Sequence, residues 1–203
     1  YVQTYGMTET SPYLTLSLLD EPLRALPPER QLEWKCKTGR AFAGIELRVV
    51  DDHGHDVPRD GRSVGEIRVR GATVTPGYFR DPAATAAAFD ANGFLCTGDL
   101  ATIDAHGYVD IVDRKKDVIK TGAESVYSIE VENVLYAHPA VLECAVFATP
   151  HEELGEQVTA ELVAFCRERI AHFKAPRRVL LLDAMPRTGS GKIQKRALRD
   201  RLT

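Results

Sequence analysis

The sequence predicts a mixed protein, α/β and α+β, in two parts, on three observations. Between about residues 44 and 112, short runs alternate apolar and polar side chains and end on turn residues, as half-buried strands do. After Arg114 the pattern changes to strands and helices following one another within under ninety residues, which describes a small α+β domain. Between the two lies the charge cluster DRKKD, Asp113 to Asp117, where either a hinge or a solvated turn would sit.

Taken in order, Tyr1 to Thr4 reads as a short strand running into the polar loop YGMTETS. The Pro27-Pro28 break precedes a short helix from Glu29 to Trp34. IELRVVD and VGEIRVRG alternate on either side of the turn-rich HGHD, and VGEIRVRG ends on Gly71. DPAATAAAF starts with Asp81 as N-cap and Pro82 at the first helical position, so it predicts a helix. FLCTGDLATID and GYVDIVDR predict two more strands around Asp104-Ala105-His106-Gly107. Several short strands with turns between them suggest a small barrel or a distorted sheet. Beyond Arg114, DVIKTG is a strand and SIEVENVLYAH an amphipathic helix stopped by His138-Pro139. AVLECAVFA is a mostly apolar strand, ELVAFCRERIAHF a helix and RRVLLLD a further strand. A basic helix closes the chain.

Composition narrows the function classes. A formal charge of -3 gives no general reason to expect nucleic acid or an anionic membrane as partner. No apolar run is long enough for a transmembrane segment, which leaves peripheral membrane contact open. Cys36, Cys96, Cys144 and Cys166 are widely spaced and form no CxxC pair, so they read as reduced thiols, small core residues of a cytoplasmic protein. A chain opening on YVQTYGMTETSP, without Met and within a site-like motif, is expected to be the C-terminal part of something longer.

Three stretches carry chemistry. YGMTETS gathers Tyr5, Thr8, Glu9, Thr10 and Ser11 after a strand. Hydroxyls and backbone N–H groups there can hold phosphate oxygens, and one carboxylate can hold Mg2+, which takes only one or two protein carboxylates. A polar loop satisfying its own backbone remains the alternative. In TGD, Thr97 to Asp99, the carboxylate can accept both hydroxyls of a ribose, or serve as a turn-forming Asx residue. Arg114 lies fifteen residues on and can donate to the same sugar or to a phosphate. PRTGSGKIQKR places Lys192 in a Gly/Ser/Thr-rich run, but a P-loop would need Gly where Pro186 stands and Ser or Thr where Ile193 stands. A mobile lysine meeting a phosphate held elsewhere is the reading left. His53 and His55 belong to an exposed hairpin turn rather than a metal site, since no third ligand is evident.

Together these stretches resemble the adenylate-forming superfamily of acyl-CoA synthetases, luciferases and peptide-synthetase adenylation domains, and the motifs occur in that family's order. YGMTETS resembles the motif with the adenine-stacking aromatic, the phosphate-binding Thr and the magnesium-holding Glu, falling on Tyr5, Thr8 and Glu9, with Gly6 also at the nucleotide. GFLCTGD resembles the ribose motif, giving Asp99. DRKKDVIKTGAE resembles the hinge motif, with Arg114 at the nucleotide, as Ile111 just before the motif would be, Lys116 at the pivot, Lys120 facing the adenylate, and Thr121, Gly122, Ala123 and Glu124 on the CoA side. PRTGSGKIQKR resembles the motif whose lysine, here Lys192, assists adenylation. KTGRAFAGIELRVVD and IKTGAESVYSIEVENVL, with the connector from Leu14 to Lys37, look most like fatty acyl-CoA synthetases.

The resemblance implies that residues 1–115 end a large adenylation domain, with a distorted β-barrel subdomain over about 38–115, and that 116–203 form a small mobile lid. It implies an ATP-dependent acid–CoA ligase using ATP, Mg2+ and coenzyme A on a medium- or long-chain fatty acid, with a homodimer possible. Lys192, Glu9 and Thr8 would be catalytic. A carboxylate would attack the α-phosphate and expel pyrophosphate. The small domain would then turn about Lys116, and the CoA thiol would take the acyl group. Other readings are an aryl-CoA ligase, a luciferase-like enzyme or a non-catalytic adenylate-binding module. Three departures stand out. The family's phosphate loop and most of its acyl pocket would lie upstream of Tyr1, so the chain is not expected to be competent alone. A strand and loop are missing between Val158 and Glu161. Ala123 and Ser125 stand where Gly and Asn are usual.

Overall fold

The computed structural model describes residues 1–121, 124–148, 160–176, 179–180, 182 and 184–200. The chain divides into two compact units, Tyr1–Lys115 and Lys116–Thr203.

The first unit holds two antiparallel sheets. In one, β1 (Thr4–Gly6), β2 (Tyr13–Leu16) and β3 (Arg40–Ala41) lie in that order. The expected first strand therefore begins at Thr4 rather than Tyr1, and β2 is a strand that the sequence pattern does not predict. Its Leu14 is fully buried, and its buried Thr15 hydroxyl donates to the Thr38 carbonyl at 2.8 Å. Two short helices follow, α1 (Glu21–Arg24), capped by Asp20 accepting from Leu23 N at 3.3 Å, and α2 (Pro28–Lys35). Leu19, Leu23 and Tyr108 form a small core beside Trp34.

The second sheet is a meander, β4 (Ile45–Val50), β5 (Gly65–Gly71), β6 (Leu95–Ile103) and β7 (Val109–Arg114), paired in chain order. These four strands do not close into a ring, so of the barrel and the distorted sheet the structure has the sheet. Helix α3 (Pro82–Ala88) starts as its sequence predicts, with Asp81 accepting from Ala84 N at 2.9 Å. Inward positions of the strands, Val49, Ile67, Val69, Leu95, Ala101, Ile103 and Val109, make one core with Leu14, and Tyr5, Met7 and Ile111 pack against it. The HGHD segment is the expected turn, with Asp51 accepting from His53 N and His55 N at 2.9 Å each.

In the second unit β8 (Ile119–Thr121) pairs with β9 (Glu124–Val126), and α4 (Ser128–Tyr136), α5 (Ala160–Arg167) and α6 (Lys195–Arg199) follow. Val126, Val131, Leu135, Cys166 and Ala175 form its core, joined by Cys144 and Val146. The expected strand over 140–148 is absent. That segment only partly buries its apolar side chains, with Leu142 exposed, and its backbone bonds to a helix's side chains instead of a ladder: Val146 N donates to Glu132 Oε1 at 2.8 Å, and Cys144 N to Tyr136 Oη at 3.4 Å. Helix α5 ends before the predicted Phe173 because the Cys166 carbonyl takes both Arg169 N (3.0 Å) and Ile170 N (2.9 Å). The strand expected over 177–183 and the gap at Val158–Glu161 fall largely outside the described residues. All four cysteines are free, but Cys36 is exposed, so the core reading fails for that one.

Candidate functional site

Two backbone irregularities set up the site in the first unit. At the end of β1 the register with β2 shifts between Tyr5 and Gly6, and the strands approach so closely that a Cβ on Gly6 would lie 1.6 Å from the Pro12 carbonyl oxygen. Only glycine fits there. The chain then turns through a single 3-10 turn, Thr8–Thr10. The fully buried Thr10 closes this turn, its hydroxyl accepting from Met7 N at 3.1 Å and lying 2.9 Å from the Met7 carbonyl oxygen. Thr8 is exposed, and among the described residues its hydroxyl makes no hydrogen bond.

The second irregularity lies in β6. Cys96 pairs with Arg68 and Leu100 with Glu66, so Thr97, Gly98 and Asp99 together oppose Ile67. The bulge needs a left-handed residue, and Gly98 supplies it at φ +73°. Thr97 braces the bulge, donating to the Ile67 carbonyl at 2.8 Å and accepting from Asp99 N at 3.1 Å. The TGD stretch is therefore a device for re-aiming a carboxylate out of a strand.

Asp99 meets two of the other expected residues. Tyr5 Oη donates to its Oδ2 at 2.6 Å across 94 residues of chain. Arg114, its Cα partner on β7, brings Nε to 3.6 Å from Oδ1. Burial, followed by the hydrogen bond and charge of Asp99, holds the Tyr5 phenol well above the ordinary tyrosine range, so it remains a donor. Ile111 packs against the core beside this group, with its N–H on Thr38 Oγ1 at 3.1 Å. In such a group the carboxylate can accept from the hydroxyls of a polyhydroxyl ligand and the guanidinium beside it can donate to the ligand's oxygens.

Glu9 is met by a residue that sequence reasoning missed. Tyr78 Oη donates to Glu9 Oε1 at 3.0 Å, and Thr75 N to the Glu9 carbonyl at 2.7 Å. The bond to Glu9 raises the Tyr78 phenol's pKa. An aromatic in the Pro-Gly loop TPGYF was the only signal in the sequence. Glu9 Oε2 makes no hydrogen bond among the described residues, and none of these residues form a cluster of three potential metal ligands. A single carboxylate with one oxygen unengaged suits Mg2+, which keeps most of its waters and phosphate ligands, and does not suit zinc or calcium.

The remaining residues belong to the second unit or its start. Lys116 is exposed and sits in the 3-10 turn Lys115–Asp117. Lys120 Nζ donates to Ser125 Oγ at 2.8 Å across the β8–β9 pair, where Thr121 faces Glu124 in register. Gly122 and Ala123 lie outside the described residues. Lys192 is exposed on a small hairpin in which Arg187 bridges Ile193, Thr188 N donates to the Lys192 carbonyl at 2.8 Å, and Gly191 turns at φ +85°. The hairpin leads into α6, whose Lys195 pairs with Glu132 of α4 at 2.7 Å.

The profile described as AMP-binding enzyme matches residues 1–79, and that described as AMP-binding enzyme C-terminal domain matches residues 130–192. The chain belongs to the AMP-binding enzyme family. It is 38% identical over 211 residues to a long-chain-fatty-acid–CoA ligase of Thermus thermophilus, covering 98% of this chain and 39% of that protein. It is 40% identical over 226 residues to a peroxisomal benzoate–CoA ligase of Arabidopsis thaliana, again covering 98% and 39%. Among solved structures, ATP-bound MatB from Rhodopseudomonas palustris superposes with a TM-score of 0.82 at 34% identity, covering 98% of this chain and 40% of that one. The chain thus spans about 39% of the length of the curated relatives it matches. No helix among the described residues is long and apolar enough to cross a membrane.

Proposed function

We propose that this AMP-binding enzyme serves an ATP-dependent acid–CoA ligase, which joins a carboxylic acid to AMP and then passes the acyl group to coenzyme A. The observation that carries the reading is the Tyr5–Asp99–Arg114 group, three side chains from separate strands converging where a ribose can be bound. The relatives named for CoA ligation support the same reading.

In the first half-reaction an acid carboxylate oxygen attacks the α-phosphorus in line, and the bond to pyrophosphate breaks. Positioning and charge neutralisation dominate such a step. The Tyr5 ring packs the base, Asp99 accepts from the ribose hydroxyls, and Arg114 donates beside it. Thr8, with its hydroxyl unengaged, donates to phosphate oxygens. Glu9 holds Mg2+, which when bound neutralises triphosphate charge. Lys192, a compact charge on a long stem, lies against the carboxylate and the α-phosphate as charge shifts. In the second half-reaction the CoA sulfur attacks the acyl carbon and AMP leaves. Rotation about Lys116 withdraws Lys192 and brings up Lys120 and residues 121–124, a change that needs few residues to alter φ and ψ.

We take the acid to be a medium- or long-chain fatty acid, on the character of KTGRAFAGIELRVVD and the Thermus relative. An aromatic acid is the second reading, favoured by the equally similar benzoate ligase. The setting is taken as cytoplasmic. The test incubates the full-length protein with ATP, Mg2+, CoA and a panel of fatty and aromatic acids, and identifies products by mass spectrometry. Fatty acyl-CoA with AMP and pyrophosphate is expected. Aryl-CoA products would transfer the assignment to the second reading, and ADP or no thioester would overturn both.

A further inference from the structure

Tyr78 is braced far more than an exposed tyrosine needs to be. The residue is 41% exposed, yet its backbone is held at each side. Tyr78 N donates to Thr85 Oγ1 at 2.9 Å, Asp81 N returns to the Tyr78 carbonyl at 3.3 Å, and Thr85 Oγ1 donates on to the Asp81 carbonyl at 2.8 Å. Just before it, Gly77 N donates to Thr75 Oγ1 at 3.3 Å, and a Cβ on Gly77 would meet Thr85 Cγ2 at 2.6 Å. The loop is thus pinned to the first turn of α3 and, through Thr75 N, to the Glu9 carbonyl at 2.7 Å. What this frame presents is one phenol, reaching back 69 residues to the Glu9 carboxylate.

We propose that Tyr78 is the positioning residue for the magnesium carboxylate: its hydroxyl engages Glu9 Oε1, fixes the rotamer, and leaves Oε2 to face the cation. This rests on the reading of Glu9 as that carboxylate. Mg2+ demands near-octahedral geometry and takes a carboxylate through one oxygen more readily when the other is held. Side chains that orient a metal's ligand typically account for about 10- to 100-fold in metal affinity. The loop is firm enough for that role, because its own hydrogen bonds and not the ligand's fix where the phenol points.

The test measures ATP dissociation constants by calorimetry, once with Mg2+ and once with EDTA, on the full-length wild type, Tyr78→Phe and Glu9→Gln. The EDTA constant divided by the Mg2+ constant is the coupling between metal and nucleotide on the protein. Tyr78→Phe should lower that ratio about tenfold while leaving the EDTA constant unchanged, and Glu9→Gln should lower it at least as far. A hydroxyl that only ties two loops together would move both constants in parallel. An unchanged ratio in Tyr78→Phe, with a lowered one in Glu9→Gln, overturns the role of Tyr78 and leaves that of Glu9. An unchanged ratio in both removes Glu9 as the magnesium carboxylate and the proposal with it.

Discussion

Tyr5→Phe separates the two parts of one side chain, keeping a ring packed on the core and deleting the hydroxyl that reaches Asp99 at 2.6 Å. A hydrogen bond to a charged group contributes about 1.5–3 kcal/mol net. The compensation left to Asp99 is small. Arg114 stands at 3.6 Å with its side chain 53% exposed, and such pairs contribute only about 0–1 kcal/mol. We therefore expect a loss of about 2 kcal/mol at pH 8 in urea unfolding, with an unchanged m-value. The pH dependence gives the buried, hydrogen-bonded phenol a signature. The folded Tyr5 phenol is raised above its unfolded value, so its stabilisation is fully present below about pH 10 and is lost as pH climbs toward the folded pKa. In that window the unfolded tyrosine has released its proton and the folded one has not. The advantage of wild type over Tyr5→Phe should then shrink by up to about 1.4 kcal/mol per pH unit. A double-mutant cycle with Asp99→Asn assigns the effect to the pair. A loss below about 0.5 kcal/mol, or a difference that does not change between pH 8 and 11, or strictly additive mutations, would refute the reasoning.

Other perturbations test separate parts of the account. Gly6→Ala has no room beside Pro12 and should destabilise by about 3 kcal/mol or more, as chemical denaturation would measure. Gly98→Ala meets no atom but must adopt φ +73°, so it should cost only about 1–2 kcal/mol while weakening ATP binding by misdirecting Asp99. Glu132→Ala removes the partner of Lys195 at 2.7 Å and strands Val146 N; about 3 kcal/mol should be lost, with faster amide exchange over 144–146. Lys116→Pro should spare acyl-AMP formation and impair thioester formation, and survival of both half-reactions would remove Lys116 as the pivot.

Legibility in the sequence followed the range of the physics involved. Strands β4 to β7 and the α3 cap are specified by near neighbours, through alternation, Gly, and Asp81-Pro82, and they lie where the pattern puts them. The motifs around Tyr5, Asp99 and Arg114 were readable by type, but their convergence is a matter of register, 94 residues apart for Tyr5 and Asp99. Strand β2 was hidden because Thr15 is buried through a hydroxyl bond to Thr38, which no periodicity reports. Residues 140–148 read as a strand because they are apolar, whereas Glu132 and Tyr136 of α4 supply side-chain partners for that backbone. Tyr78 escaped notice since only the fold brings its loop to Glu9.

The most direct measurement is acid-dependent ATP–pyrophosphate exchange on the full-length protein, across fatty and aromatic acids, with and without Lys192→Ala. The account predicts exchange that requires a fatty acid and is abolished by the substitution, while thioester formation from supplied acyl-AMP persists. ATP binding with no exchange for any acid, or exchange indifferent to Lys192, would contradict it.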